Sequence, residues 1–532
     1  MLKFIPQPKI KRIVSLLLDG GASDCILVGG FVRDLFLGLP SKDVDIEVYG
    51  LTYERILQIL GRHFSVNFVG QSFGTVKIGG GIDISIPRVE LKSGAGHKGF
   101  EVLFDPYLDL YSAFSRRDFT INAIGIRIDN SIYDPFDGRG DIVRKILRAP
   151  TAAFCEDPLR VLRGMQFAAR FGFKMEPQTV ELCMRVFNEF NSLSTERVWC
   201  EWSKWAAKGI EPSRGLFLLQ ETGWIKHFPE IDNLIIVTKN QSQNRNYNNK
   251  IEPNKIEQNE IDPNENAEKN VVENTDENPF VNTARVCDCA VKVADEFNFA
   301  EEDRLTLIFA ALCYNLDKSC NIADNNDELS YQELSNSVSN LNASPNLNSD
   351  LNLNSKLRLK TISNLRLLKL SSSSACEFVR KFLGRINPPM RIVDCVLSIV
   401  GEVLTREFVL GGCEVSDVEL RRLSARLEPS NIRIWLALCR ALIEAGGGND
   451  KILRQVDECE LRAKKLNIID AKPKPILQGR NLIKCGVNAG REMGIILENA
   501  YEAQLDGDIN NIDEAMIWYS KNYVTVHENL ND

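Results

Sequence analysis

The sequence predicts a small mixed α/β head followed by an all-helical remainder, and three observations predict it. Apolar runs of strand length alternate with helical stretches through the first part of the chain. From Asp157 the apolar spacing turns helical, through Leu159, Leu162, Phe167 and Phe171 and then Val180, Cys183, Val186 and Phe187. From Ala284 onward the pattern stays helical, broken at Gly411-Gly412 and Gly446-Gly447-Gly448.

Within the head, Ile26-Leu27-Val28 reads as a strand entering a glycine turn and the amphipathic stretch Val32 to Leu37. Val44 to Val48, Val66 to Val69, Val76 to Ile78 and Ile82 to Ile86 read as further strands. A chain of 532 residues has room for roughly three or four domains. Hydrophobic residues at 44% and charged residues at 26% suit a soluble globular protein, and Ile13 to Leu18 is too short to cross a bilayer. Met1-Leu2-Lys3-Phe4 opens no long apolar signal region, so a cytoplasmic chain without membrane partners is expected. The 14 cysteines show no CxxC pair and no zinc spacing, and read as buried thiols.

A net charge of −8 argues against a nucleic-acid binder until its placement is considered. Residues 238 to 279 hold nine acidic against five basic residues, whereas 144 to 231 hold 13 basic against 10 acidic, so a phosphate footprint is sought in the latter. Segment 238–279 has 12 Asn in 42 residues and 320–355 has 10 in 36; neither buries enough apolar surface to offset chain entropy. They read as a linker and a long loop.

The sharpest constellation is Gly29-Gly30-Phe31-Val32-Arg33-Asp34 followed by Asp43-Val44-Asp45-Ile46-Glu47. Alternate residues of a strand share a face, so Asp43 and Asp45 point one way while Val44 and Ile46 enter the core. Two carboxylates at that spacing make an oxygen-rich Mg²⁺ site, and the paired glycines let backbone approach a triphosphate. An isolated DxD is more often a solvated edge strand. Here Asp83, in the alternating strand Ile82 to Ile86, adds a third acid whose repulsion needs cations. The set suits two-metal phosphoryl-type transfer, with Asp43 and Asp45 bridging the ions and Asp83 helping to activate an attacking hydroxyl.

These two motifs, with Arg116-Arg117-Asp118-Phe119-Thr120-Ile121-Asn122-Ala123, resemble the class II tRNA nucleotidyltransferase/poly(A) polymerase family over nearly the whole chain outside the Asn-rich inserts. The resemblance implies a nucleotidyltransferase head with a DNA polymerase beta-like mixed sheet, then an all-α neck, body and tail. It places the head at 1–148, the neck at 149–231 and an Asn-rich linker at 232–280. A degenerate HD-type domain with its insert follows at 281–405, and the body and tail at 406–532. The implied activity is template-independent addition of CMP and AMP from CTP and ATP to the 3′ end of tRNA, with two Mg²⁺ ions.

For the nucleotide the resemblance implies Gly29, Gly30 and Arg33 at the turn, and Arg117 and Asp118 on triphosphate and ribose, Asp118 accepting from the 2′-OH. Asn122 reads equally as a nucleotide contact or a structural turn residue. Glu156-Asp157-Pro158-Leu159-Arg160-Val161-Leu162-Arg163 resembles the family's nucleobase-recognition helix. Asp157 and Arg160 lie three apart on one helix face, an acceptor beside a donor that suits cytosine and adenine and not guanine or uracil. For the pair alone, the competing reading is a surface salt bridge.

Lys92 to Gly99 is glycine-rich and basic where the family carries a flexible loop linked to the final A addition; Lys92, His97 and Lys98 are candidate tRNA contacts, with a plain loop as the other reading. Asp134 to Asp141 resembles the hinge-like head-to-neck motif and receives no chemistry. In the HD-type segment Asn282 stands where a His is expected, and Tyr314 and Asn315 stand for the His-Asp pair. No histidine occurs from 228 to 526, so phosphohydrolase activity is not expected. Gly479 and Gly486 suit turns before helices, and Arg480 and Lys484 are candidate tRNA contacts or a solvated helix face. Poly(A) addition, partial CC or A addition, and non-catalytic RNA binding are the rival readings.

Overall fold

The strands of the head follow the apolar runs. In chain order they are β1 (Asp24–Val28), β2 (Val44–Tyr49), β3 (Val66–Asn67), β4 (Thr75–Ile78), β5 (Ile82–Ser85), β6 (Arg88–Lys92), β7 (Phe100–Phe104), β8 (Gly125–Ile126) and β9 (Ile132–Tyr133). Seven of them form one sheet in the order β3-β4-β5-β2-β1-β8-β9, while β6 and β7 make a separate hairpin. Only β2 and β5 run parallel within the large sheet. Alternation sets the register: Val44, Ile46 and Val48 are buried, whereas Asp45 and Glu47 on the opposite face stay partly exposed.

The computed structural model describes residues 5–41, 43–67, 74–92, 100–235, 278–316, 376–402, 405 and 415–524. Two units emerge, 1–229 and 230–532. In the first, the helices are α1 (Pro8–Asp19), α2 (Gly29–Leu37), α3 (Tyr53–Leu60), α4 (Leu110–Ser115), α5 (Gly138–Arg144), α6 (Leu159–Phe171), α7 (Pro177–Arg185), α8 (Thr195–Lys208) and α9 (Pro212–Glu221). The apolar stretch Ile13 to Leu18 lies in α1, which buries Ile13, Val14 and Leu17. α6 is buried over most of its surface and packs against α8 and α9, with Trp202 and Trp205 fully enclosed. Burying each such ring contributes on the order of 2–3 kcal/mol.

The head and neck share one unit because their cores are continuous. Phe119 sits edge-on to Phe154 and Phe167, with ring centroids 5.6 and 5.8 Å away. The Thr120 amide donates to the Arg148 carbonyl at 2.8 Å. The Asp134 to Asp141 motif braces the head beside this junction. Asp141, almost fully buried, accepts from the Thr120 hydroxyl at 2.6 Å, from Arg144 at 2.6 Å and from Arg148 Nε at 2.9 Å.

The second unit is helical where described. Its first long helix, Pro279–Glu296, is capped by Asn278, whose side chain accepts from the Phe280 amide at 2.9 Å. The end of the Asn-rich stretch is therefore a helix cap, and residues 232–235 at its start are helical as well; the rest of that stretch and the 320–355 insert lie outside the described residues. Against Pro279–Glu296 packs Glu301–Cys313. Just beyond it, Asn315 is buried and its amide donates to Asn282 Oδ1 at 3.4 Å and Thr283 Oγ1 at 3.3 Å. Two positions where the resemblance expects metal ligands are thus side by side, bearing amides. Gly486 follows the helix Gly479–Lys484 in a left-handed conformation (φ 87°) instead of preceding a helix, while Gly490 stands at the start of Arg491–Asp506.

Among the described residues the cysteines are free thiols, and no helix is long and apolar enough to cross a membrane. Asp141 is the buried charge on which the network of Thr120, Arg144 and Arg148 within the head depends. Asp141→Ala leaves Arg148 and the Thr120 hydroxyl without their acceptor and is expected to cost about 3–5 kcal/mol, read from the midpoint of urea unfolding; a loss under about 1 kcal/mol, the scale of an exposed pair, would contradict it.

Candidate active site

Parallel pairing of β2 with β5 sets Asp45 directly opposite Asp83. Two facing carboxylates repel, and the neighbouring strand supplies a counterion: Lys77 of β4, opposite Asp83 in register, bridges to its Oδ2 at 2.6 Å. Burial pushes the Asp45 carboxyl above the usual carboxylate range, Asp83 adds to the rise, and Arg117 opposes it. Asp43 stands exposed one residue ahead of β2 and lies outside the residues lining the cleft, although its charge is felt at Asp45.

Gly29 opens α2 beside these acids, because Val28 pairs with Asp45 across β1 and β2. Its φ of 71° is left-handed, and a Cβ there would stand 3.2 Å from Asp45 Oδ2. Any other residue would crowd the carboxylate. Gly30 faces the Arg33 side chain instead.

A cleft of about 460 Å³ opens over this end of the sheet, lined by Asp45, Glu47, Asp83, Arg116, Arg117, Asp118, Asp157, Arg160, Arg163 and Arg197 among others. Glu47 was legible in the strand alternation, two residues beyond Asp45 on the same face. Its Oε2 accepts from Tyr49 OH at 2.7 Å and from Arg117 at 3.2 Å, which holds Arg117 at the cleft wall. Arg117 also lies 5.0 Å over the Phe114 ring.

Asp118 is the most connected group of the cleft. Its Oδ1 accepts from the Phe119 amide at 2.8 Å and from Asn122 Nδ2 at 2.9 Å. Its Oδ2 accepts from Arg163 Nε at 2.7 Å and faces that residue's terminal nitrogen at 2.6 Å. Burial alone would raise its pKa, but the Arg163 charge and the Asn122 hydrogen bond overcome burial and bring it down to about 2.

Four residues expected at the nucleotide do not line the cleft: Gly29 and Gly30, and also Arg33 and Asn122. Arg33 is buried, donates twice to Asp34 Oδ1 at 2.8 and 2.6 Å, and lies 5.1 and 4.9 Å over the rings of Phe167 and Phe171. Its remaining nitrogen donates to Asn122 Oδ1 at 2.8 Å, so Asn122 is also enclosed. A guanidinium spaced like a phosphate ligand in the sequence is held in the interior because apolar rings of the neck close over it.

Base recognition also differs in its support from the sequence expectation. Asp157 precedes α6 instead of sharing a helix face with Arg160, since Pro158 takes the cap position. The Asp157 carboxylate accepts from the Leu159 amide at 3.1 Å and from Arg197 of α8 at 2.7 Å. Arg160 donates to the carbonyls of Ala153 at 2.7 Å and Arg116 at 2.6 Å. Each is anchored separately and both reach the cleft. Arg197, 40 residues away, had no sequence signal. Of the remaining candidates, Lys92 ends β6 with its side chain undescribed, His97 and Lys98 lie outside the described residues, and Arg480 and Lys484 are exposed on Gly479–Lys484 of the second unit.

The family model for the poly A polymerase head domain matches residues 25–148. Relatives named "Multifunctional CCA protein" are similar to part of the chain: that of Acinetobacter baumannii (strain AYE) is 40% identical over 220 residues, 39% of this chain and 51% of its own. That of Nitrosococcus oceani is 39% identical over 233 residues, 42% and 54% respectively. The chain thus spans about half the length of the curated relatives it matches. The fold resembles a Bacillus stearothermophilus CCA-adding enzyme solved with CTP, at 20% identity and TM-score 0.58, covering 98% of this chain and all of that one. A CCA-adding enzyme solved with ATP matches at 17% identity and TM-score 0.52, covering 96% and 95%.

Because the Asp118 pKa is depressed from 3.8 to about 2, its ionised form stabilises the fold fully above the unfolded value, and that contribution, about 2 kcal/mol, is lost as pH falls toward the folded one. The unfolding free-energy difference between the wild type and Asp118→Asn is expected to be constant above about pH 5 and to shrink by that amount toward about pH 2. A difference independent of pH would contradict the assignment.

Proposed function

We propose template-independent addition of CMP and AMP, the CCA end, to the 3′ end of tRNA from CTP and ATP, by a chain whose residues 25–148 match the poly A polymerase head-domain model. The observation that carries the proposal is one cleft in which facing carboxylates, arginines and the separately anchored Asp157 and Arg160 converge.

The donor set fits Mg²⁺: hard carboxylate oxygens, too few to complete a cage, beside arginines suited to substrate phosphates that would complete it. Asp43 and Asp45 would hold two ions, with Asp83 beside them. Bound there, they would supply activation of the 3′-OH and neutralisation of the triphosphate charge. Arg117 and Arg163 bind phosphate oxygens, and Asp118 receives the ribose 2′-OH on Oδ2, in place of one Arg163 N–H. Asp157 accepts from the exocyclic amine of cytosine or adenine, while Arg160 donates to the adjacent ring nitrogen. Guanine and uracil present the reverse order and leave both groups unpaired. Arg197 holds the Asp157 carboxylate in place. Lys92, His97, Lys98, Arg480 and Lys484 are offered to the tRNA backbone. The second unit serves as a scaffold, its Asn282 and Asn315 lacking the ligand chemistry of a metal phosphohydrolase.

Poly(A) addition draws support from the family model itself, since the same head serves it. Incubation with tRNA lacking its CCA end, Mg²⁺ and labelled nucleotides separates the two: incorporation stopping after C, C and A supports the proposal, and long A tails overturn it.

Asp43→Ala and Asp45→Ala are each expected to abolish incorporation while the thermal unfolding midpoint stays within about 5 °C, the shift from about 1 kcal/mol. Near wild-type turnover in either variant would sink the metal assignment. Arg160→Ala is expected to lower the CTP:UTP preference by about 10- to 100-fold, the loss of one hydrogen bond to a charged group. An unchanged ratio with only lower stability would assign base choice elsewhere.

A further inference from the structure

The Arg-Arg-Asp stretch contributes three cleft residues, Arg116, Arg117 and Asp118, and one enclosed residue contacts the last two. Asn122 ends the turn Thr120–Asn122 and is 5% exposed. Its main-chain carbonyl accepts from Arg117 at 3.4 Å. Its side-chain amide joins two groups that lie far apart in sequence: Oδ1 accepts from Arg33 at 2.8 Å and Nδ2 donates to Asp118 Oδ1 at 2.9 Å. The amide has one possible orientation, because a guanidinium only donates and a carboxylate only accepts. Arg33 in turn is immobilised by Asp34 and by the rings of Phe167 and Phe171.

We propose that Asn122 is the positioning residue for ribose recognition, holding the Asp118 carboxylate so that Oδ2 faces the sugar. The inference rests on the nucleotide-binding reading of Asp118 given above. Both acceptor positions of Oδ1 are filled, by the Phe119 amide and by Asn122. Oδ2 takes both of its contacts from Arg163, at 2.7 and 2.6 Å, and Asp118 lines the cleft, so a 2′-hydroxyl reaches Oδ2 by displacing one of them. Without the Asn122 donor, Oδ1 keeps only the Phe119 amide, and the carboxylate plane that meets the hydroxyl is held by two protein hydrogen bonds in place of three. The 2′-hydroxyl then meets a more loosely held acceptor, while a 2′-deoxyribose, making no such bond, is unaffected.

The test is calorimetric binding of ATP and dATP to the full chain in Mg²⁺, for wild type, Asp118→Asn, Asn122→Ala and Asn122→Asp. The last variant keeps an acceptor for Arg33 and removes the donor to Asp118, so it separates positioning from packing around Arg33. Wild type is expected to prefer ATP by about 10- to 100-fold, the range for a hydrogen bond to a charged group. Both Asn122 variants are expected to lose most of that preference by weakening ATP while dATP binding stays within about 2-fold, and Asp118→Asn combined with Asn122→Ala is expected to lose no more than Asp118→Asn alone. Retained preference in both Asn122 variants, or equal weakening of ATP and dATP, overturns the proposal. A wild type indifferent to the 2′-OH overturns it by removing the ribose role of Asp118, whereas failure of the broader reading shows separately, as no incorporation into tRNA.

Discussion

The cleft depends on one strand pairing. β2 and β5 are the only parallel neighbours in the large sheet, and their register sets Asp45 against Asp83. Two carboxylates in that relation are unfavourable unless positive charge lies close. Much of the surrounding structure supplies it, with Lys77 on one side and Arg117 on the other. The same need for cations makes the site suited to a metal-bound triphosphate, so the electrostatic cost of the free site and its proposed chemistry have one origin.

A second constraint is the continuity of the head and neck cores. Phe119 lies between Phe154 and Phe167, and Phe167 also lies near the guanidinium groups of Arg33 and Arg163. The ring therefore connects the apolar interior to the polar network ending at Asp118. Asp141 braces the head side of this junction, through Thr120 and Arg148. The residues proposed for sugar, phosphate and base consequently lie in one compact unit, which suits the proposed selection of bases by fixed donors and acceptors and not by a template.

In the second unit, two positions where the sequence resemblance expects metal ligands bear amides. Asn282, Thr283 and Asn315 satisfy one another by hydrogen bonds in a buried place. Neutral amides packed this way stabilise a helix pair without a cation.

Residue type and spacing alone determined strands β1 to β5 of the head but not β6 to β9, and also the shared face of Asp45 and Glu47, the glycine beside the acids and the arginine–aspartate stretch. Each is a local property: a period of two for strands, a left-handed φ for Gly29, a motif of adjacent residues. Tertiary structure decided the rest. Arg33 is spaced like a nucleotide ligand, yet the rings of Phe167 and Phe171 enclose it, and it acts on Asp118 through Asn122. Asp157 and Arg160 are neighbours in sequence but are anchored by Arg197 and by two carbonyls respectively. Those partners come from segments up to 44 residues distant in the chain, and no local pattern encodes which distant group a buried charge will meet; packing decides that, since a desolvated charge must take whatever partner the fold brings within reach.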